Sequence, residues 1–184
     1  MSHCAPLFDE VLHASGPAAE YEGEMRTFAR LIGSWDLDVT WFEDGEVRRR
    51  ASGEWHFGFV LEGRAIQDVW IVPSRRDRAR GAQPYEYGTS IRFYDPSITA
   101  WRSTWMGPRR GVVLQLLARE IGEEIVLEGR DAEGNALRWI FGGICADSFS
   151  WRNEIACPGG PFAVTQTFRA KRVIAPQTDV EPTS

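Results

Sequence analysis

Between Ser34 and Arg172 the chain alternates with a period of two. Trp35, Leu37, Val39 and Trp41 are interleaved with Asp36, Asp38 and Thr40, and similar patterning recurs in ten short runs, at about 34–42, 47–59, 64–72, 88–94, 100–106, 112–118, 124–130, 136–143, 148–156 and 162–171. A period of two sends successive side chains to opposite faces, so each run reads as a strand with one buried face. The runs are separated by EDG, LEG, DPSIT, GPRRG, IGEE, DAEGN and CPGG, turn signals short enough for hairpins. Ten hairpin-linked strands laid flat would leave two open edges, which closure removes. The sequence therefore predicts an all-β fold, an up-and-down antiparallel barrel of about ten strands over 34–172.

The flanks read differently. In residues 1–33, Leu7, Phe8, Val11 and Leu12 form a short apolar stripe; after Ser15-Gly16-Pro17, Tyr21, Met25, Phe28 and Ile32 recur at helical spacing, and Gly33 supplies a stop. This predicts a helical cap over one end of the barrel. The connection 73–87 is long enough to read as a lid or mobile loop. The tail, 173–184, is polar and proline-containing and is predicted to be disordered.

Composition narrows the function classes. A chain of 184 residues fits one domain, and eight tryptophans imply that several share its interior. A net charge of −5 argues against a nucleic-acid partner, and the basic runs Arg48-Arg49-Arg50 and Arg75, Arg76, Arg78, Arg80 read as a solvated strand end and loop. Cys145 and Cys157 fall at opposite ends of the run 148–156. At ~3.3 Å per residue they lie about 30 Å apart, too far for a disulfide, which points to a reducing cytoplasm. The N-terminus has no basic region followed by an apolar core, and no apolar run approaches a membrane span, so neither secretion nor membrane insertion is expected. The absence of H-E-x-x-H, C-x-x-C, Walker A and Gly-x-Gly-x-x-Gly patterns predicts no metal and no cofactor.

Turn geometry assigns the faces. If Glu43-Asp44-Gly45 is a three-residue loop, Trp41 pairs with Val47 and Leu37 with Ala51; if Leu61-Glu62-Gly63 is another, Trp55 and Phe57 share a face with Gln67 and Val69. Further on, Phe93 opposes Trp101, Leu127 opposes Trp139, Glu128 opposes Arg138 and Trp151 opposes Gln166. The expected lining is aromatic, with Trp41, Trp55, Phe57, Phe93, Trp101, Trp105, Trp139 and Trp151 as candidate ligand contacts. Gln67, Ser103, Asn153 and Gln166 are its candidate hydrogen-bonding members, and Arg49 stands as an exception at the rim or turned outward by a bulge. His56 would sit opposite Asp68, with Glu54 and Trp70 on the same face. A carboxylate orienting an imidazole is general-base chemistry, but this register puts the pair on the outer face, as a cross-strand polar pair.

The helix followed by Gly33-x-Trp35 at the first strand, the meander, and Arg169 or Arg172 near the end of the last strand resemble the lipocalin (calycin) superfamily. The segments LIGSWDLDV, GEWHFGFVLEGRAIQDVW and YEYGTSIRFYDPSITAWRSTWM look more closely like a bacterial lipocalin-like family of unknown function, over about residues 25–172. The resemblance implies that Trp35 plugs the barrel base with one of those arginines packed across it. Haem-binding relatives use a histidine on a late strand. The histidines here are His3, His13 and His56, so haem is not implied.

Three functions follow as expectations. The first is a cytoplasmic barrel binding a small, largely apolar or aromatic molecule. The second is a cofactor-free isomerase, cyclase or hydro-lyase acting on a hydrophobic substrate in the same barrel, with His56 and Asp68 moving protons. The third is an interaction module with a filled core. The sequence does not fix the oligomeric state.

Overall fold

The computed structural model describes residues 7–174; the predicted tail lies outside the described residues from position 175 onward. A short helix α1 (Phe8–Leu12), a two-residue strand β1 (His13–Ala14), a 3-10 turn (Ala19–Tyr21) and helix α2 (Glu22–Ala29) precede the barrel. The barrel strands are β2 (Gly33–Glu43), β3 (Glu46–Val60), β4 (Ala65–Val72), β5 (Glu86–Asp95), β6 (Ala100–Gly107), β7 (Val112–Ile121), β8 (Glu124–Arg130), β9 (Ala136–Gly142), β10 (Ser148–Ala156) and β11 (Ala163–Arg172). Each pairs antiparallel with its sequence neighbour, and β11 returns to β2, so the ten-stranded sheet closes.

The base is shut from inside. Met25 and Phe28 of α2, and Leu31 just after it, are 0% exposed. Spaced by three, they point one face of the helix into the barrel. Phe28 packs edge-on against Trp101 at 4.9 Å and Phe141 at 6.2 Å. The helix ends at Ala29, short of Gly33, and the chain turns through Leu31 N–H to Phe28 C=O (2.9 Å) and Ile32 N–H to Ala29 C=O (3.1 Å). The Trp35 indole donates to the Leu31 carbonyl at 2.7 Å, and the Arg172 guanidinium lies 4.0 Å from the Trp35 ring centroid. Arg172 also donates to the carbonyls of Ile32 (2.7 Å), Arg30 (3.2 Å) and Ala146. Gly33 has φ +120°, and a Cβ there would come 2.7 Å from Arg172 Nη1, so this position requires glycine. Arg172 rather than Arg169 is the partner of Trp35; Arg169 pairs with Asp38 on the outer face.

Strand register decides what the interior contains, because a slip of one residue exchanges the faces. Between β2 and β3 the turn has two residues, Asp44 and Gly45, and a bulge follows at Trp41/Phe42, so Trp41 pairs with Arg49, Val39 with Ala51 and Trp35 with Trp55. The bulge restores the parity expected from a three-residue loop, and the tryptophans stay inside. Between β3 and β4 nothing restores it. Val60 pairs with Ala65 across four residues, with positive φ at Leu61, Glu62 and Gly63. Phe57 therefore pairs with Asp68 and Trp55 with Trp70, and the predicted pairing of His56 with Asp68 is replaced by His56 with Val69. The N-terminal segment holds this turn: Leu61 N–H donates to Leu12 C=O (3.0 Å), Ala18 N–H donates to Gly63 C=O (3.0 Å), and β1 pairs with the end of β3.

The inversion carries through β5, where Asp68 pairs with Ser90 and Ile66 with Arg92. A second slip, at the four-residue turn between Asp95 and Ala100, undoes it: Trp101, Ser103 and Trp105 face inward as expected. From β6 to β11 the predicted faces hold. Leu127 pairs with Trp139 and Glu128 with Arg138, whose side chains meet at 2.9 Å. Trp151 pairs with Phe168 and Asn153 with Gln166, a two-residue shift that leaves the faces unchanged.

Candidate functional site

The barrel interior divides into a packed lower half and a small open-mouthed cavity. The cavity measures about 150 Å³. Its walls are Trp55, Trp70, Trp105, Trp139, Trp151 and Phe168, with Leu114, Leu137 and Val112 between them; Tyr85, Glu86, Ser90, Arg110, Asn153 and Gln166 supply polar atoms. The aromatic walls support one another. Trp151 stacks on Phe168 at 4.2 Å, Trp70 stacks on Phe168 at 5.5 Å, and Trp105 and Trp139 meet edge-on at 6.0 Å. Each ring is thereby held in one orientation, which preorganises the cavity.

The candidate contacts divide into four groups. Trp55, Trp105, Trp139, Trp151, Asn153 and Gln166 converge on the cavity. Trp41 stands at its rim, edge-on to Tyr85 at 5.1 Å. Phe57, Trp101 and Ser103 are buried; Trp101 contacts the capping Phe28, and Phe57 packs on Trp55 at 4.9 Å. Gln67 and Phe93 point outward, which corrects their expected place in the lining. Gln67 donates to Thr89 Oγ1 at 3.0 Å on the outer face, and Phe93 is 46% exposed.

His56 and Asp68 are separated by the sheet itself. His56 is on the outer face, with Nδ1 2.8 Å from Ser34 Oγ and Nε2 3.2 Å from Glu54 Oε2. Hydroxyl, imidazole and carboxylate thus stand in the order of a nucleophilic relay. Ser34 is simply the cross-strand partner of His56, and Glu54 is two residues along the same strand. The depression beside Glu54 is lined by Asp36, Ser52, Arg76 and Lys171, and neither Ser34 nor His56 lines it. Burial would raise the Glu54 carboxyl, but hydrogen bonds from the Arg75 backbone and side chain and from His56 bring it below its ordinary value. The long connection 73–87 is pinned here. It contains helix α3 (Arg75–Ala79), and Ser74 bonds Ser52 at 2.9 Å while Arg75 Nε bonds Glu54 at 2.7 Å.

Asp68 is inside, 0% exposed, and bonded to Arg92, itself 1% exposed. Ser90 N–H also donates to Asp68, at 3.2 Å. Burial pushes the Asp68 carboxyl above its ordinary value against the pull of Arg92, the nearby Trp55 indole and the Ser90 N–H, and burial lowers Arg92. The guanidinium lies 4.8 Å from the Phe28 centroid and 5.7 Å from Phe57. Among the described residues its Nε and Nη1 have no hydrogen-bond partner, nor has the neighbouring Ser103 Oγ. These groups belong to the barrel floor.

The rim contributes residues that the sequence reading left out. Glu86 is 2% exposed and lines the cavity; its carboxylate accepts the backbone N–H groups of Tyr87 (3.0 Å), Arg109 (3.2 Å) and Arg110 (3.3 Å). Tyr85 carries two cations: Arg110 and Arg49 lie 4.9 Å and 5.0 Å from its ring centroid, and Arg49 is also 4.8 Å from Trp41. Tyr85 and Glu86 fell in the long connection, Arg110 in a turn, and Trp70 on a strand assigned to the wrong face. The strict alternation of Ser90 and Arg92 was visible, but only the β3–β4 turn length could say which way it pointed.

No family model and no curated protein sequence matches the chain. Solved structures match the fold. One is described as the crystal structure of Rv2717c from M. tuberculosis, with a TM-score of 0.56 and 15% identity over 86% of this chain and 99% of that one. Another is the S-type phycobiliprotein lyase CPES from Guillardia theta, with a TM-score of 0.56 and 13% identity over 83% of this chain and 93% of that one. The closed ten-stranded barrel and these neighbours fit a lipocalin-like, calycin-type fold. No helix among the described residues is long and apolar enough to cross a membrane.

Proposed function

We propose that the barrel binds a small aromatic molecule one ring wide. The carrying observation is the cavity of about 150 Å³, walled by five tryptophans, in which buried polar atoms lack partners. A void of roughly 150 Å³ accepts benzene in an engineered apolar core, so one ring fits and a polycyclic system does not. Trp70 Nε1, Trp151 Nε1, Gln166 Nε2 and Asn153 Oδ1 are buried and have no partner among the described residues. Unpaired buried polar atoms are costly, and a ligand offering partners offsets that cost. The reading needs no metal and no cofactor. Cys145 and Cys157, exposed and unbridged, suit a reducing cytoplasm.

The test combines native mass spectrometry of freshly purified protein with tryptophan fluorescence titration by single-ring aromatics. A retained small mass, or saturable one-to-one quenching, is expected. An apo mass together with no saturable quenching by any single-ring probe would sink the reading.

A cofactor-free isomerase or hydro-lyase is the second reading. One structural neighbour is named a lyase, which supports it only by analogy of fold. Glu86 favours it more directly, as a carboxylate in the cavity wall without an ion-pair partner among the described residues. In this reading Glu86 rather than His56 with Asp68 moves the proton, and Glu86→Gln abolishes turnover while ligand binding persists.

A further inference from the structure

We infer that the molecule held in the cavity is an aromatic acid, its ring among the tryptophans and its carboxylate received at the mouth by Arg49 and Arg110. The inference rests on the binding reading above and adds the chemistry of the polar end.

Two independent features carry it. The first is the sign of the unpaired hydrogen-bonding groups. Of the buried wall atoms without a partner among the described residues, Trp70 Nε1, Trp151 Nε1 and Gln166 Nε2 are donors and Asn153 Oδ1 is an acceptor; the Trp55 indole is turned toward Asp68. Indole N–H groups can only donate. A wall short of acceptors selects a ligand that presents oxygen lone pairs. Glu86, the one carboxylate among the described wall residues, changes this balance little, because three backbone N–H groups take three of its roughly four acceptor sites.

The second feature is charge at the mouth. Arg49 and Arg110 are exposed, each about 5 Å from the Tyr85 ring centroid, and neither is ion-paired with a carboxylate among the described residues. Arg110 gives one N–H to Tyr85 Oη at 2.5 Å, and its ring contact fixes the plane of the guanidinium. Arg49 is fixed similarly by Trp41 and Tyr85. Two orienting contacts per cation leave the remaining N–H groups open in forks that match a carboxylate. One ring fills a cavity of about 150 Å³, and Tyr85 and Arg110 in its wall, with Arg49 on the Tyr85 ring, place both cations where an acid group on that ring is received.

The test is calorimetric titration at neutral pH with 3-phenylpropanoate, 3-phenylpropanamide and 3-phenylpropylamine, which share one ring and one linker. The acid should bind about tenfold more tightly than the amide, with the amine weakest, and added salt should weaken only the acid's advantage. In an Arg49→Gln/Arg110→Gln double variant the acid should lose about twentyfold and the amide less than about twofold, since each rim pair contributes up to roughly fivefold. An unchanged thermal midpoint of that variant certifies its fold. Equal binding of acid and amide, preference for the amine, or undiminished acid binding by the double variant would each overturn the inference while leaving the cavity reading standing. Binding of none of the three would overturn it too, and the mass and fluorescence tests above then decide the cavity reading.

Discussion

The two ends of this barrel use the same materials for opposite purposes. At the base, Arg172 lies over Trp35 and gives its N–H groups to three backbone carbonyls, while Arg92 lies over Phe28 and meets Asp68. At the mouth, Arg49 and Arg110 lie over Trp41 and Tyr85, and no carboxylate among the described residues pairs with them. An arginine on an aromatic ring is therefore not in itself a binding device. What separates the ends is helix α2, which fills the base with Met25 and Phe28 and, through the turn after it, brings carbonyls within reach of Arg172. Among the described residues the mouth has no such cap, and its polar groups remain open.

This contrast is open to experiment. The largest effect should come from Asp68→Ala, which leaves Arg92 charged, buried and unpaired; a loss of about 3–5 kcal/mol is expected in denaturant unfolding. Replacing both as Asp68→Leu/Arg92→Met should recover most of it. If Asp68→Ala unfolds no more easily than wild type, the pair is not the structural element described. Phe28→Ala should cost about 3–4 kcal/mol, by a cavity between Trp101 and Phe141.

On the outer face, Glu54→Gln should cost about 1 kcal/mol at neutral pH, because charge-assisted bonds from the backbone N–H and the exposed side chain of Arg75 are lost. Folding lowers the Glu54 pKa, so its stabilisation is whole above its ordinary 4.5 and disappears as pH falls through the lower folded value. Acid unfolding curves should therefore converge for wild type and variant below that range; curves that stay parallel would exclude the assignment. At the mouth, Gln166→Met should stabilise by about 1 kcal/mol, since an unpaired buried donor is removed, while weakening ligand binding. Arg49→Gln and Arg110→Gln should change stability by less than about 0.5 kcal/mol. A large loss on either would make the mouth structural, like the base, and erase the contrast.

Much of the architecture was legible. Alternation from Trp35 onward and regularly spaced turns defined ten strands, and Gly33 with Trp35 marked where the base closes. The inward faces of β2, β3 and β6 to β11 were readable because their tryptophans and leucines alternate with charges. In β4 and β5 the reading inverted. AIQDVWIV has apolar residues on both faces, so hydrophobicity does not choose between them, and in EYGTSIRFYD it favours the face of Tyr87, Ile91 and Phe93, which lies outside. Loop length chooses, and that depends on whether Leu61–Arg64 turns in three residues or four. The extra residue is accommodated because Leu12 and Ala18, more than forty positions earlier, bond to the turn. That one step moved Asp68, Ser90 and Arg92 inside and Gln67 and Phe93 out.

The chain by itself determined that there would be a closed β-barrel, rich in tryptophan within and capped by a helix. Period-two alternation and turn residues act locally, and every hairpin carries the same instruction. Tertiary structure alone decided which polar groups share the interior, how much of it remains empty, and which arginines are satisfied. Those outcomes turn on a single residue of register and on contacts between segments distant in sequence, where local propensity has no preference to express.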